Sequence, residues 1–108
     1  MGQNMAIKPG RLSEADLQLA VLQILATYPD GRASVGTLVK RLPEYVKLSE
    51  GDRVASDTRP NEAIWEQQVR NLKSHHKTFG NIFAEGFVVQ SAKGEWEITE
   101  AGRLHLKT

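Results

Sequence analysis

The chain contains no cysteine in 108 residues. Disulfides, thiolate catalysis and cysteine-built zinc sites are therefore excluded, which is compatible with a reducing compartment. Long apolar runs are absent too. The longest, Leu19 to Ala26, is already broken by Gln23, well short of a bilayer span. The first ten residues lack the apolar centre of a secretion signal, so the expected location is the cytoplasm. Neither charge sign dominates: 14 Lys and Arg stand against 13 Asp and Glu, a formal net charge of +1. Bulk charge thus does not indicate a polyanion partner, and the placement of the basic residues matters more than their sum. No repeat or low-complexity segment is present. What remains, 40% apolar and 25% charged, is the composition of one ordinary globular domain.

Residues 1–11 read as a flexible arm, and residues 12–108 as the folded domain. Ser13 is placed to cap a helix over 14–28, with Asp16 near the positive end of its dipole and Leu12 able to staple to Leu17. Leu17, Ala20, Val21, Ile24, Leu25 and Tyr28 form its apolar stripe, and Tyr28-Pro29-Asp30-Gly31 ends it. A second helix begins after Ser34, with Val35, Leu38, Val39 and Leu42 inward and Lys40 and Arg41 outward. Pro43 terminates it. Residues 44–60 read as a long connection, one turn followed by loop through Ser49-Glu50-Gly51-Asp52. Arg59-Pro60-Asn61-Glu62 then opens a third helix running from about 62 to 77 by its periodicity, with Trp65, Val69, Leu72 and His76 facing the core. Asn81 to Gly86 make a further turn closed by glycine.

Phe87-Val88-Val89-Gln90 and Glu95-Trp96-Glu97-Ile98 read as two strands joined by Ser91-Ala92-Lys93-Gly94. The register expected from burial puts Phe87 and Val89 on one face with Trp96 and Ile98. Thr99 then caps a last helical turn over Glu100 to Leu106. Three helices, a two-stranded hairpin and a short closing helix make an α+β domain with the order of a winged helix-turn-helix.

The run Phe83-Ala84-Glu85-Gly86-Phe87-Val88, the hairpin, and Trp96-Glu97-Ile98-Thr99-Glu100-Ala101-Gly102-Arg103 resemble the end of many bacterial winged-helix domains. There an apolar-x-x-x-Gly-apolar-apolar segment leads into the wing and an Ile-Thr-x-x-Gly-Arg segment closes it. Trp65-Glu66-Gln67-Gln68-Val69-Arg70-Asn71 more narrowly resembles the N-terminal domain of Mrr-type restriction proteins. Ser74-His75-His76 departs from that pattern, which has apolar or aromatic residues there. The resemblance covers roughly residues 12–106. It implies a winged helix that binds double-stranded DNA, as a regulator or as the DNA-docking domain of a restriction-type system.

Helical spacing independently puts Gln67, Arg70, Ser74 and Lys77 opposite the inward stripe, with Lys73 and Glu66 on one shoulder and Asn71 on the other. Arg and Lys suit phosphate or guanine, and Gln and Asn suit adenine edges. Any surface helix must be polar outside, so this face alone does not establish a ligand. Lys93 at the hairpin tip, Lys40 and Arg41 on the second helix, and Lys8 and Arg11 in the arm are candidate phosphate contacts. His75 and His76 point about 100° apart and cannot chelate one metal together. His76 reads as a mostly buried packing residue, and Trp65 and Trp96 as core anchors. No nucleophile with a base, paired carboxylates or phosphate-cradling glycine loop is visible, so neither an enzymatic activity nor a cofactor or metal is expected. The alternative is a protein-interaction module, joining a second copy or a nuclease partner through an apolar patch at Tyr45, Val46 and Leu48.

Overall fold

The computed structural model describes residues 13–48, 50–55 and 61–108. The proposed arm with Lys8 and Arg11, Leu12 of the staple, and the Arg59-Pro60 opening of the third helix lie outside the described residues. Helix α1 (Glu14–Ala26) starts where Ser13 Oγ accepts from Asp16 N at 3.1 Å. It ends two residues earlier than expected, because Thr27 turns its hydroxyl back onto the Ile24 carbonyl at 2.6 Å. That bond satisfies an end carbonyl which a further helical residue would otherwise have to meet. Its inner side, Leu17, Val21, Leu22, Ile24 and Leu25, is the centre of the core.

Strand β1 (Arg32–Ser34) follows Gly31, which adopts a φ of +70°. A side chain at 31 would also meet Ile98 Cγ2 and Arg103 Nη2 at 2.8 Å, so glycine is required there twice over. Ser34 then caps α2 (Val35–Arg41) by accepting from Thr37 N. Pro43 sits inside a 3-10 turn, Leu42–Glu44, that continues α2, and buried Leu42 brings that turn onto the core. Glu50 to Arg53, read as loop from the sequence, form a single helical turn, α3, with Asp52 buried. The connection that follows is closed at its base by an Ala55–Ala63 bridge and by Ile64 N donating to Val54 O at 2.7 Å.

Helix α4 (Ile64–Ser74) buries Trp65, Val69 and Leu72. It is shorter at both ends than the 62–77 expected. At the start, Glu66 Oε1 accepts from Ala63 N at 2.7 Å, which fixes the entry. At the end, buried Asn81 donates from Nδ2 to the Leu72 carbonyl at 2.9 Å while its Oδ1 accepts from Phe83 N at 2.7 Å. One amide thus closes α4 and organises the turn over 81–86, where Gly86 has a φ of +79°.

Strands β2 (Val88–Ala92) and β3 (Glu95–Ile98) form the hairpin, and β1 pairs with the free edge of β3. The sheet is therefore three-stranded and antiparallel, in the order β1-β3-β2, and not the two-stranded hairpin expected. The register also differs. Val88 pairs with Ile98 and Gln90 with Trp96, whereas Ala92 pairs with Glu95 across a two-residue turn. The irregularity between Gln90 and Ala92 leaves Ser91 as an extra residue and shifts everything below it by one. Val88 consequently joins Trp96 and Ile98 in the core, and Val89 faces outward beside Glu97. Phe87 is half-buried and stacks on His105, with ring centres 4.4 Å apart.

Helix α5 (Glu100–Lys107) runs two turns, not one, from its Thr99 cap. Thr99 Oγ1 donates to Gly86 O at 2.6 Å and accepts from Gly102 N at 3.0 Å. A Cβ at Gly102 would collide with the Phe87 carbonyl oxygen and come within 2.7 Å of Ile98 Cγ1. The Ile-Thr-x-x-Gly segment is thus the seam where α5 presses on the base of the hairpin. Trp96 seals the interior edge-on against Phe83, at 5.0 Å between ring centres. Among the described residues no helix is long and apolar enough to cross a membrane.

Candidate nucleic-acid interface

Burial of Trp65, Val69 and Leu72 turns the opposite side of α4 toward solvent. Gln67, Arg70, Lys73 and Ser74 are brought together there, with Arg70 and Ser74 the most open. Lys77, expected on the last helical turn, lies beyond the helix and is exposed in the turn that follows. His76 is exposed with it, its Nδ1 3.1 Å from the Lys73 carbonyl, and is not the core residue its spacing suggested. The cause is the early stop at Ser74: once the helix ends, the inward period no longer applies. Asn71 sits on the shoulder nearest α1, where it lines a hollow of about 180 Å³ with Glu14, Gln68 and His75. His75 Nδ1 lies 3.6 Å from Glu14 Oε2 across that hollow.

Arg70 is not free of acids. Its Nε donates to Glu62 Oε2 at 2.6 Å, and the pair is asymmetric: the Arg70 side chain is 47% exposed and that of Glu62 only 17%. The periodicity makes Glu62 the first residue of the helix, two turns from Arg70 and about 12 Å away along the axis. It lies instead before the Ala63 cap of α4, outside the helical period, and its carboxylate still meets Arg70. Glu66 places a carboxylate at the positive end of α4, which favours the helix and disfavours phosphate at that end. The outward side of α4 beyond its first turn, from Gln67 to the last residue Ser74, is the part left to solvent.

The second helix contributes less than its sequence suggests. Arg41, expected to point outward, turns in. It donates to Thr27 Oγ1 at 2.9 Å and to the Tyr45 hydroxyl at 3.2 Å, and lies 3.6 Å from Glu44. Its guanidinium carbon also stands 5.4 Å from the centre of the Tyr28 ring and 5.7 Å from that of Tyr45. These contacts tie the 3-10 turn to the end of α1, and Arg41 is a structural clamp there. Lys40, on the same turn of α2, is exposed and has no ion-pair partner among the described residues; Lys73, Lys77 and Lys93 likewise have none.

Lys93 occupies the hairpin turn with Gly94, whose φ is +72°. The turn does not project as a free tip. Gly94 O accepts from Val35 N at 2.9 Å and Glu95 pairs with Ser34, so the hairpin ends level with β1 at the start of α2. Glu97 is bonded to Arg32 at 3.3 Å and Glu95 accepts from Ser91 at 2.7 Å, both on the sheet face opposite Trp96. Tyr45, Val46 and Leu48 are half-buried against the core, and Tyr45 and Val46 line an open hollow of about 300 Å³ with Leu19 and Gln23. A second apolar surface surrounds Phe79, which is 95% exposed at the rim of a groove of about 380 Å³ between α1 and α5, lined by Leu19, Leu22, Ile82, Phe87 and His105. Against known proteins, no family model matches this chain, and no curated protein or solved structure matches it either.

Proposed function

We propose that this domain is a winged helix that binds double-stranded DNA, with α4 in the major groove and the hairpin turn on the backbone, without an enzymatic activity of its own. The supporting observation is the split of α4: one side locked in the core by Trp65, Val69 and Leu72, the other offering Arg70, Ser74 and Lys73 to solvent. The element order and the sheet are compatible with this fold, β1 serving as the short strand before the second helix and the hairpin as the wing. Lys40, Lys73, Lys77 and Lys93 are the phosphate contacts in this reading, and Arg70, Gln67, Asn71 and Ser74 face the bases. Arg41 has no part in it. The resemblance to the docking domain of Mrr-type restriction proteins makes a cytoplasmic regulator, or the DNA-holding part of a restriction-type system, the fitting context.

Titration of a labelled random duplex at two salt concentrations tests the reading. Affinity should fall with salt at a log–log slope of about −0.9 for each phosphate contact. Arg70→Ala should weaken a preferred duplex by about 1–3 kcal/mol if the side chain meets a base. Wild-type affinity retained by Arg70→Ala, or no salt dependence, refutes the assignment. The groove beneath Phe79 favours a second reading, a protein-docking module, in which Phe79→Ser abolishes association with a partner while duplex affinity is absent throughout.

A further inference from the structure

We propose that Glu62 is a positioning residue that aims Arg70 at the edge of a guanine, an inference that rests on the duplex-binding reading above. Glu62 Oε2 takes only the Nε–H, at 2.6 Å, and among the described residues the terminal nitrogens of Arg70 have no other partner. Those terminal N–H groups form the planar fork that matches the O6 and N7 acceptors of guanine. The fork lies on the outward side of α4, on a side chain that is 47% exposed, so it is both held and presented.

Charge separates the two ligands an arginine at this position can take. A phosphate is drawn by net positive charge, and a carboxylate at 2.6 Å cancels most of that field at the approach distance of a polyanion. The guanine acceptors are neutral and are recognised by direction, which the carboxylate improves by fixing the long side chain before contact. Glu62 is also not easily displaced. Its side chain is only 17% exposed, and Oε1 is buried with no hydrogen-bond partner among the described residues. A carboxylate so placed depends on Arg70 for compensation and stays with it when the fork engages a base. Phosphate anchoring then falls to Lys40, Lys73, Lys77 and Lys93, which carry no such partner among the described residues.

The experiment selects preferred sequences from a random duplex pool with the full chain, then measures affinity for the selected duplex, for versions with each G·C pair changed to A·T, and for a random duplex. Wild type should select a guanine whose replacement costs about five- to 150-fold in affinity, the span of one bidentate base contact. Arg70→Lys keeps the charge but has no fork, and should lose that penalty. Glu62→Ala should lose it as well while binding the random duplex no more weakly than wild type. Glu62→Gln retains an acceptor for the Nε–H and should keep most of the penalty. Thermal melting of each variant confirms that it is folded. Glu62→Ala and Glu62→Gln behaving alike, or a guanine penalty that survives Arg70→Lys, overturns the assignment of Glu62. A selected site without a guanine preference also overturns it while leaving duplex binding intact. No affinity of the wild type for any duplex removes the duplex reading itself, and the inference with it.

Discussion

The seam between the hairpin and α5 and the outward side of α4 use their polar residues in opposite ways. At the seam, the Thr99 hydroxyl both donates and accepts, and the Phe87 carbonyl fills the space beside Gly102. On α4, Ser74 is exposed and the terminal nitrogens of Arg70 have no partner among the described residues. The two arginines Arg41 and Arg70 show the same contrast in one residue type. Helical spacing turns both outward, yet Arg41 has two hydroxyls, a carboxylate and two aromatic rings around it. A wheel gives direction only. Whether a long cation is available depends on what the following turn brings within its reach.

The sharpest way to break this contrast is at Gly102. Gly102→Ala should destabilise the domain by about 3 kcal/mol, since neither a backbone carbonyl nor the β-strand that carries Ile98 can move aside cheaply. Denaturant unfolding measures it, and a loss under about 0.5 kcal/mol would show that the seam is loose. Next in size is the clamp. Arg41→Ala should lower the melting temperature through its lost ring contacts and hydrogen bonds, with duplex affinity unchanged. A selective loss of duplex affinity in that variant would move Arg41 to the other side of the comparison. The smallest effect is expected at Lys77, which is exposed and has no ion-pair partner among the described residues. Lys77→Ala should leave the melting temperature unaltered and reduce the magnitude of the salt slope by about 1.

Legibility followed the same division. The caps Ser13, Ser34 and Thr99 were readable because each is satisfied by a backbone N–H only three residues away. The core stripe of α4 was readable at Trp65, Val69 and Leu72 and failed at His76, because Asn81, nine residues beyond Leu72, decides where the helix stops. The hairpin register failed for a related reason. Parity assigns faces only when the ladder is regular, and the extra residue at Ser91 carries no signal in the pattern of apolar residues. Strand β1 was missed because three residues with one buried alanine have no period to detect. Glu62, the acid that holds Arg70, has no helical spacing to it because it precedes the Ala63 cap, and only the packed structure makes the pair.

By itself the sequence determined the α+β class, the order of the main helices and the hairpin, and the side of α4 that enters the core. Those depend on the spacing of apolar residues and on caps whose partners lie within a turn. The tertiary structure alone decided the third strand, the shifted register and the availability of each cation. Those depend on contacts between residues far apart in the chain, and the distance between two such side chains is set by how the elements pack, not by the composition of either.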